Sequence, residues 1–297
     1  MRITFNSQYR DAAAGIETAS QQLIDMQRQV ATSKRISKPS DDPSGSATAV
    51  NERAQLGAVE QYSRTADSVT SRLNVVDAVM SDIVLKLTAI QSNGHNALGS
   101  TKSDAQREAI AVTLEGIRAS LLDDMNTTFH GSYVFAGAKS TTKPYTESGG
   151  VVSAYAGSTT EVDVDIAEER QITVAFNGDA IAKGSAATDM FGELNNLITA
   201  VRAGNSDNMQ TALTNLGDAF SRATSAQTRV GVAMNQIQAE QLRQADTKLA
   251  GTARLSKIED ANMAEAISGM TRADAAYRAA LGAAGSSAKV SLLDYLG

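Results

Sequence analysis

The amino-acid sequence predicts a mainly α-helical, elongated fold. We expect the N- and C-terminal helices to form a coiled-coil bundle, with a small β-rich insertion in the middle of the chain. Most of this prediction comes from ten apolar residues between Val59 and Ile90, which alternate three and four positions apart. A period of 3.5 keeps one apolar seam turned toward a partner helix, as in a coiled coil. At 1.5 Å per residue, this stretch alone forms a helix of roughly 50 Å.

The composition favours helices that approach each other closely. The chain has 297 residues and is 42% hydrophobic but only 4% aromatic, with no Trp. Small aliphatic residues must therefore supply the buried surface, and large aromatic-lined ligand pockets are not expected.

Charge and cysteine content exclude several classes of function. The formal net charge is −6, whereas nucleic-acid binding requires a basic face. The absence of Cys excludes disulfides and thiolate metal sites. No stretch has the length and apolarity of a membrane span, and the N-terminus lacks the apolar region of a signal peptide. We therefore expect no nucleic-acid partner, no membrane insertion and no cleaved signal peptide.

The first helix is predicted from near Asn6 to Lys34. Its apolar residues recur every seven positions, at Ile16, Leu23 and Val30. A segment rich in proline and serine, residues 37–45, then breaks the helical pattern. Asp42 is a suitable N-cap for the second helix, and Pro43 suits its first turn.

Beyond the second helix, Ser103 and Gln106 have the spacing of a capping box, which predicts the start of a third helix. From about residue 131 to residue 184, glycines, threonines and alternating apolar residues replace the heptads. Asn177-Gly178 is a turn signal within this segment. Helical periodicity returns near Thr188, and its three-four rhythm is interrupted at Gln227.

These segments predict three parts of the chain. Residues 1–40 together with 255–297 are expected to form a terminal coiled-coil core that serves assembly. Residues 41–130 together with 185–254 are expected to form a helical rod. Residues 131–184 form the β-rich insertion.

The acidic pairs and clusters favour structural interpretations. Asp41 and Asp42 are adjacent on a capping loop, where two carboxylates rarely converge on one substrate, and helix capping explains both. Three further acids alternate along one predicted strand, at Glu161, Asp163 and Asp165. They lack the Asp-x-Asp-x-Asp-Gly arrangement of a calcium loop, so a solvated strand face is favoured.

The two histidines, His95 and His130, lie in separate segments of the chain. Without Cys nearby, they do not form the ligand set of a zinc site. No nucleophile–base pair or phosphate-binding loop is present either. The sequence therefore predicts no catalytic residue, no cofactor and no metal, and a protein that is not an enzyme.

Two motifs near opposite ends of the chain resemble motifs of the bacterial flagellin superfamily. One combines residues 34–36 (KRI) with residues 40–43 (SDDP), and the other is residues 258–267 (IEDANMAEAI). Three further features are similar to those superfamily members that join the hook to the filament. They are the start MRIT at residues 1–4, YVFAG at residues 133–137 and the ending SLLDYL at residues 291–296.

The resemblance implies a structural protein of the bacterial flagellum, located outside the cell. Such a protein would be exported through the flagellar type III apparatus without a cleaved signal. Its implied partners are hook-associated protein 1, flagellin, copies of itself in a ring and a flagellar export chaperone. Its terminal helices would join an assembly core, for which the candidate residues are Ile16, Leu23, Val30, Ile258, Ile267, Met270, Leu292, Leu293 and Leu296.

Two alternatives remain open at this point. A short flagellin would polymerise into the filament itself, and copy number and self-assembly would distinguish it from a junction protein. A cytoplasmic coiled-coil scaffold or signalling protein would stay in the cytosol, and it would leave the paired terminal motifs unexplained.

Overall fold

The computed structural model describes the backbone of residues 5–99 and 102–296, and the side chains of residues 9–99 and 102–286. Helices dominate the described chain, and strands occur only between α3 and α4. The predicted mainly α-helical fold with a β-rich middle is thereby confirmed. The helices are α1 (Phe5–Thr32), α2 (Pro43–Ala97), α3 (Asp104–Met125), α4 (Gly178–Ala182), α5 (Met190–Ala203), α6 (Ser206–Glu259) and α7 (Met263–Leu296).

The strands pair as three two-stranded antiparallel sheets. They are β1 (Thr128–Phe129) with β2 (Ser132–Tyr133), β3 (Glu147–Ser148) with β4 (Val151–Val152), and β5 (Val162–Ala167) with β6 (Arg170–Ala175). In the last hairpin Ala167 pairs with Arg170, so a turn of two residues connects the strands.

The chain divides into two compact units. The first unit comprises residues 1–59 and 246–297, and the second comprises residues 60–245. The three-part division expected from the sequence stays a prediction.

In the second unit, α2 buries the apolar seam that the sequence indicates. From Ala66 onward, the three-four positions are buried, and seven of them are completely inaccessible to solvent: Ala66, Leu73, Val76, Met80, Ile83, Leu87 and Ile90. The matching face of α6 buries Leu216, Ala223, Val230 and Ile237. A heptad pattern in each helix thus produces the core of this unit.

Side-chain pairs show that α6 runs antiparallel to α2 in this unit. Gln227 Nε2 donates to Ser81 Oγ at 2.9 Å, and Gln241 Nε2 donates to Asp67 Oδ1 at 2.8 Å. The two pairs are separated by 14 residues, or two heptads, along α2 and along α6. The interruption of the apolar rhythm at Gln227 is therefore a polar inter-helix contact, of the kind that specifies register in coiled coils.

Gly94 allows α6 to approach α2 closely. A Cβ atom at this position would lie 2.4 Å from Leu213 Cδ2. The Leu213 side chain therefore occupies the space that any larger residue at position 94 would need.

One turn predicted from the sequence is wrong. Asn177-Gly178 does not turn a hairpin, because the Asn177 Oδ1 accepts a hydrogen bond from Asp179 N at 3.0 Å and begins α4. Gly178 is needed for space, since an added Cβ would lie 2.7 Å from the Phe135 carbonyl oxygen. The predicted capping box at Ser103 and Gln106 is confirmed.

In the first unit, α1 packs along α7. The closest approach uses small residues: a Cβ on Gly269 would lie 2.9 Å from Met26 Sδ, and Ala19, Ala266 and Ala273 are buried. This agrees with the small-residue packing that the composition predicts. No helix in the described part of the chain is long and apolar enough to cross a membrane.

Candidate assembly site

Two breaks in the helices of the first unit lie side by side. The first, residues 33–42, separates α1 from α2, and the second, residues 260–262, separates α6 from α7. We call them together the elbow. Backbone hydrogen bonds join the two breaks: Arg35 N donates to Glu259 O at 2.6 Å, and Ala261 N donates to Ser33 O at 3.0 Å. The two motifs that resemble the flagellin superfamily are therefore in direct contact.

A buried carboxylate, Glu259, lies at the centre of the elbow. Its side chain is only 3% exposed and forms ion pairs with Lys34 Nζ at 2.8 Å and with Arg53 at 2.5 Å. Burial alone raises the pKa of Glu259, but the hydrogen bonds from Lys34 and Arg53 outweigh it and hold the pKa below its ordinary value. This carboxylate therefore connects the α1–α2 loop, α2 and the end of α6.

The paired aspartates organise the loop and the start of α2. Asp41 Oδ2 accepts hydrogen bonds from the backbone N–H groups of Ser37 at 3.0 Å and Lys38 at 2.9 Å. Asp42 Oδ1 accepts from Gly45 N at 2.9 Å and so caps α2. These backbone donors lower the pKa of both carboxyl groups. The capping role predicted for Asp42 is confirmed.

An apolar contact accompanies these polar ones. Ile36 is buried, and a Cβ on Gly45 would lie 2.7 Å from Ile36 Cδ1. Gly45 therefore leaves room for Ile36 beside the first turn of α2. On the other side of the elbow, Asn262 Oδ1 accepts a hydrogen bond from Ala264 N at 3.1 Å and begins α7.

The predicted assembly residues lie at different depths. Within the single chain, Ile16, Leu23, Val30, Ile258 and Met270 are half-buried. Ile267 is 49% exposed, so the buried face of α7 does not include it. The side chains of the remaining candidates, Leu292, Leu293 and Leu296, lie outside the described residues.

Sequence reasoning missed the residues that fill the buried positions of the first unit. Ala266 and Ala273 are buried and seven residues apart, which is a heptad repeat of alanines. The repeat is visible in the sequence, but hydrophobicity favours larger apolar neighbours, such as Ile267, as core candidates. The Glu259–Arg53 ion pair leaves no local pattern, because its partners are far apart in the sequence.

The acidic strand positions have separate partners. Asp163 accepts a hydrogen bond from Thr173 Oγ1 at 2.7 Å, and Asp165 accepts from Gln171 Nε2 at 2.9 Å. Glu161 pairs with Arg229 at 3.2 Å. Among the described residues, no group of three or more His, Cys, Asp or Glu side chains could hold a metal ion.

Known proteins share both the sequence and the fold. The model of the bacterial flagellin N-terminal helical region matches residues 3–140. Flagellar hook-associated protein 3 of Escherichia coli (strain K12) is 26% identical over 306 residues, which cover 94% of this chain and 96% of that protein.

Solved structures share the fold at low identity. FlgL of Xanthomonas campestris has a TM-score of 0.62 at 16% identity, covering 69% of this chain and 99% of its own. The flagellar junction protein FlgL of Legionella pneumophila has a TM-score of 0.60 at 16% identity, covering 71% of this chain and 99% of its own. With the family match and the motifs that meet at the elbow, these likenesses lead to one conclusion. The chain is a structural component of the flagellum that resembles the bacterial flagellin N-terminal helical region over residues 3–140 and flagellar hook-associated protein 3 over nearly its whole length.

Proposed function

We propose that this chain forms the layer that joins the hook side of the flagellum to the flagellin filament. The observation that carries the proposal is the similarity to flagellar hook-associated protein 3, which extends over 94% of this chain and 96% of that relative. Because the alignment covers nearly all of both chains, it supports a role for the whole protein and not only for a helical region shared with flagellins.

The first unit offers apolar surface for such a layer. Large apolar side chains are exposed on α1 at Tyr9 (75%) and Ile24 (49%), and on α7 at Ile267 (49%) and Leu281 (44%). Full burial of a side chain of this size contributes about 1.5–3 kcal/mol, and covering one that is already half buried contributes about half of that. We infer that neighbouring subunits cover these faces. The proposed assembly core consists of Ile16, Leu23, Val30, Ile258, Ile267, Met270, Leu292, Leu293 and Leu296.

The elbow explains how force could pass through the terminal helices. The buried Glu259 carboxylate attaches the end of α6 to Lys34 and Arg53 through two ion pairs. A neighbour that pulls on α7 therefore acts on these ion pairs and on the backbone bonds between residues 33–36 and 259–261.

The proposal names the neighbours and the route. Hook-associated protein 1 would lie on the hook side, flagellin on the filament side, and further copies of the chain would complete a ring. A flagellar export chaperone would bind the C-terminal segment in the cytoplasm. The flagellar type III apparatus would then export the chain without removing a signal peptide. The chain acts by packing, and the proposal requires neither catalysis nor a cofactor.

Immunogold electron microscopy of intact flagella tests the position of the protein. The antibody is raised against residues 131–184, and flagella from a strain that lacks the chain serve as the control. We expect one narrow band of label between hook and filament. Label along the whole filament would instead identify a flagellin, and absence of label from flagella would contradict the proposal.

A further inference from the structure

A groove in the second unit lies between α2 and the β5–β6 hairpin, with a volume of about 420 Å³. Because residues four apart share a helix face, the α2 side presents a row of polar groups about 12 Å long. The opposite side is apolar. We call this the Arg64–Arg72 groove, lined by Arg64, Ser68 and Arg72 on α2 and by Phe129, Val164 and Val174 opposite.

Arg72 is held in place but has no acidic partner. Its Nε donates to the Val174 carbonyl oxygen, and its guanidinium carbon lies 5.9 Å from the centre of the Phe129 ring. Throughout the described chain, no carboxylate pairs with Arg72. Burial without an anion lowers the pKa of this guanidinium. A guanidinium fixed in this way is prepared to bind a carboxylate.

Arg64 adds a second cationic group to the same helix face. It is exposed, and within the described residues it forms no ion pair or hydrogen bond. Other arginines in this unit pair with carboxylates, as Arg229 does with Glu161 and Arg202 with Glu108, whereas Arg222, among the described residues, donates only to the carbonyl oxygens of Ile181 and Ala182. The groove therefore carries two guanidinium groups that the chain itself does not neutralise.

The turn of the β5–β6 hairpin has the opposite charge. It consists of Glu168 and Glu169, both exposed, and neither has a partner in the part of the chain that the structure describes. Glu169 has a φ of 60°, a left-handed conformation for which such turns favour glycine or asparagine. The hairpin itself gains nothing from glutamates here, so a contact outside the chain accounts for them better.

We propose that Glu168 and Glu169 of one copy of the chain bind the Arg64–Arg72 groove of the next copy in the assembled layer. The inference rests on the proposed function in one respect, since assembly is what places the copies side by side. The two surfaces of this contact are different, so it is heterologous and can continue from copy to copy around a ring.

Charge complementarity favours a second copy as the occupant. The hairpin turn carries two carboxylates without a partner among the described residues, and the Arg64–Arg72 groove carries two guanidinium groups without a carboxylate, so these two surfaces of neighbouring copies satisfy each other one to one. Exposed ion pairs are weak and are screened by salt. They direct orientation and specificity more than affinity. The contact is therefore expected in the assembled layer and not in a dilute monomer.

Cross-linking between two single-cysteine chains tests this pairing, because the natural chain has no Cys. One chain carries Ser68→Cys in the groove, and the other carries Gln171→Cys beside the hairpin turn. Both are expressed together, and purified flagella are treated with a short bis-maleimide. We expect a cross-linked dimer. Moving the first cysteine to exposed Thr88 (Thr88→Cys), about 200° around the same helix, is expected to abolish it.

Exchanging the charges of the groove and the hairpin turn distinguishes a specific ionic contact from cysteines that are merely close together. Arg64→Glu in the groove chain, or Glu168→Arg with Glu169→Arg in the hairpin chain, should each reduce the dimer strongly. Combining them, with one change on each chain, should restore it. A dimer that is insensitive to these charges would overturn the proposal. Two further results would overturn it. One is flagella that contain both chains but no cross-linked dimer, and the other is a dilute monomer carrying both cysteines in which these two cysteines are cross-linked to each other.

The experiment also distinguishes this inference from the proposed function. Immunoblotting shows whether the chains are in purified flagella at all, which bears on the junction role. If they are absent, the same mixture is cross-linked as purified full-length protein at increasing concentration. A charge-dependent dimer would then support the pairing, and its absence at every concentration would reject it.

Discussion

Lys34 Nζ donates a hydrogen bond to Glu259 Oε2 at 2.8 Å, although 225 positions separate the two residues in the sequence. Each belongs to one of the two motifs that resemble the flagellin superfamily. The motifs therefore form one structural element, in which each supplies the charge that the other needs. Arg53 from α2 completes it with a second ion pair to Glu259.

Replacing Glu259 with Gln is expected to destabilise the first unit by about 1–3 kcal/mol. The Glu259 side chain is buried, but both cationic partners are about half exposed. Water therefore solvates Lys34 and Arg53 in the variant and offsets part of the lost stabilisation. Calorimetry of the full chain measures the effect as a lower unfolding temperature.

Glu265→Gln provides the matched control. Glu265 is exposed on α7 and forms no ion pair among the described residues, so its replacement should change the free energy of unfolding by less than about 0.5 kcal/mol. Equal losses in the two variants would show that the buried ion pair is not the cause.

Acidification is expected to open the elbow. The pKa values of Asp41, Asp42 and Glu259 lie below their ordinary values of 3.8 and 4.5 in the folded chain. Folding therefore favours the charged forms. Their contribution is present above the ordinary values and is lost as pH falls through the lowered ones. The protection factors at residues 33–42, which correct hydrogen exchange for its intrinsic pH dependence, should stay constant from about pH 7 to about pH 5 and fall as pH drops below about 4.

Glu259→Gln supplies the internal comparison for this pH dependence. In this variant, the amide hydrogens of the elbow should already be less protected from exchange near neutral pH. The difference in protection between the variant and the natural chain should shrink as the carboxylates become protonated. A difference that is constant with pH would contradict the assignment to Glu259.

Ile267→Glu should separate assembly from stability. Ile267 is 49% exposed in the single chain, so the charge should alter the unfolding temperature little while preventing incorporation into flagella. Its neighbour Ala266 is buried against α1, and Ala266→Leu should cost about 1–3 kcal/mol by overpacking. Calorimetry and immunoblots of purified flagella measure the two effects. Normal incorporation of Ile267→Glu would exclude this residue from the assembly core.

Removal of residues 285–297 tests the proposed C-terminal anchor. The second unit ends at residue 245, so its melting transition by circular dichroism should stay unchanged while incorporation fails. Replacement of Leu292, Leu293 and Leu296 together by Ala should give the same result without shortening the chain, whereas Ser291→Ala should incorporate normally. Normal incorporation of the truncated chain would refute the anchor.

Local patterns in the sequence predict the helices and their caps well. The seam from Val59 to Ile90 and the cap at Asp42 need only neighbours within a few turns, so the sequence contains the whole signal. Asn177-Gly178 fails because the same side chain can close a turn or cap a helix. The packing of Phe135 against Gly178 decides between these outcomes, and that contact is distant in the sequence.

The elbow could be predicted only in part, for a similar reason. Its motifs are recognisable, and the cap at Asp42 is local. The pairing of Glu259 with Lys34 and Arg53 is not, since it depends on how two distant breaks come together. Ile267 shows the limit of hydrophobicity as a guide, because the closely packed interface of α1 and α7 admits the smaller Ala266 instead.

The absence of a side chain at Gly94 leaves a recess on α2, and this recess has a mechanical consequence. Leu213 fills the space where a side chain at position 94 would be. If α6 slid along α2 by one heptad, Leu213 would meet the bulk of Leu87, which is fully buried. Axial sliding must therefore first lift Leu213 out of its recess. The helix pair resists shear along its length as well as separation.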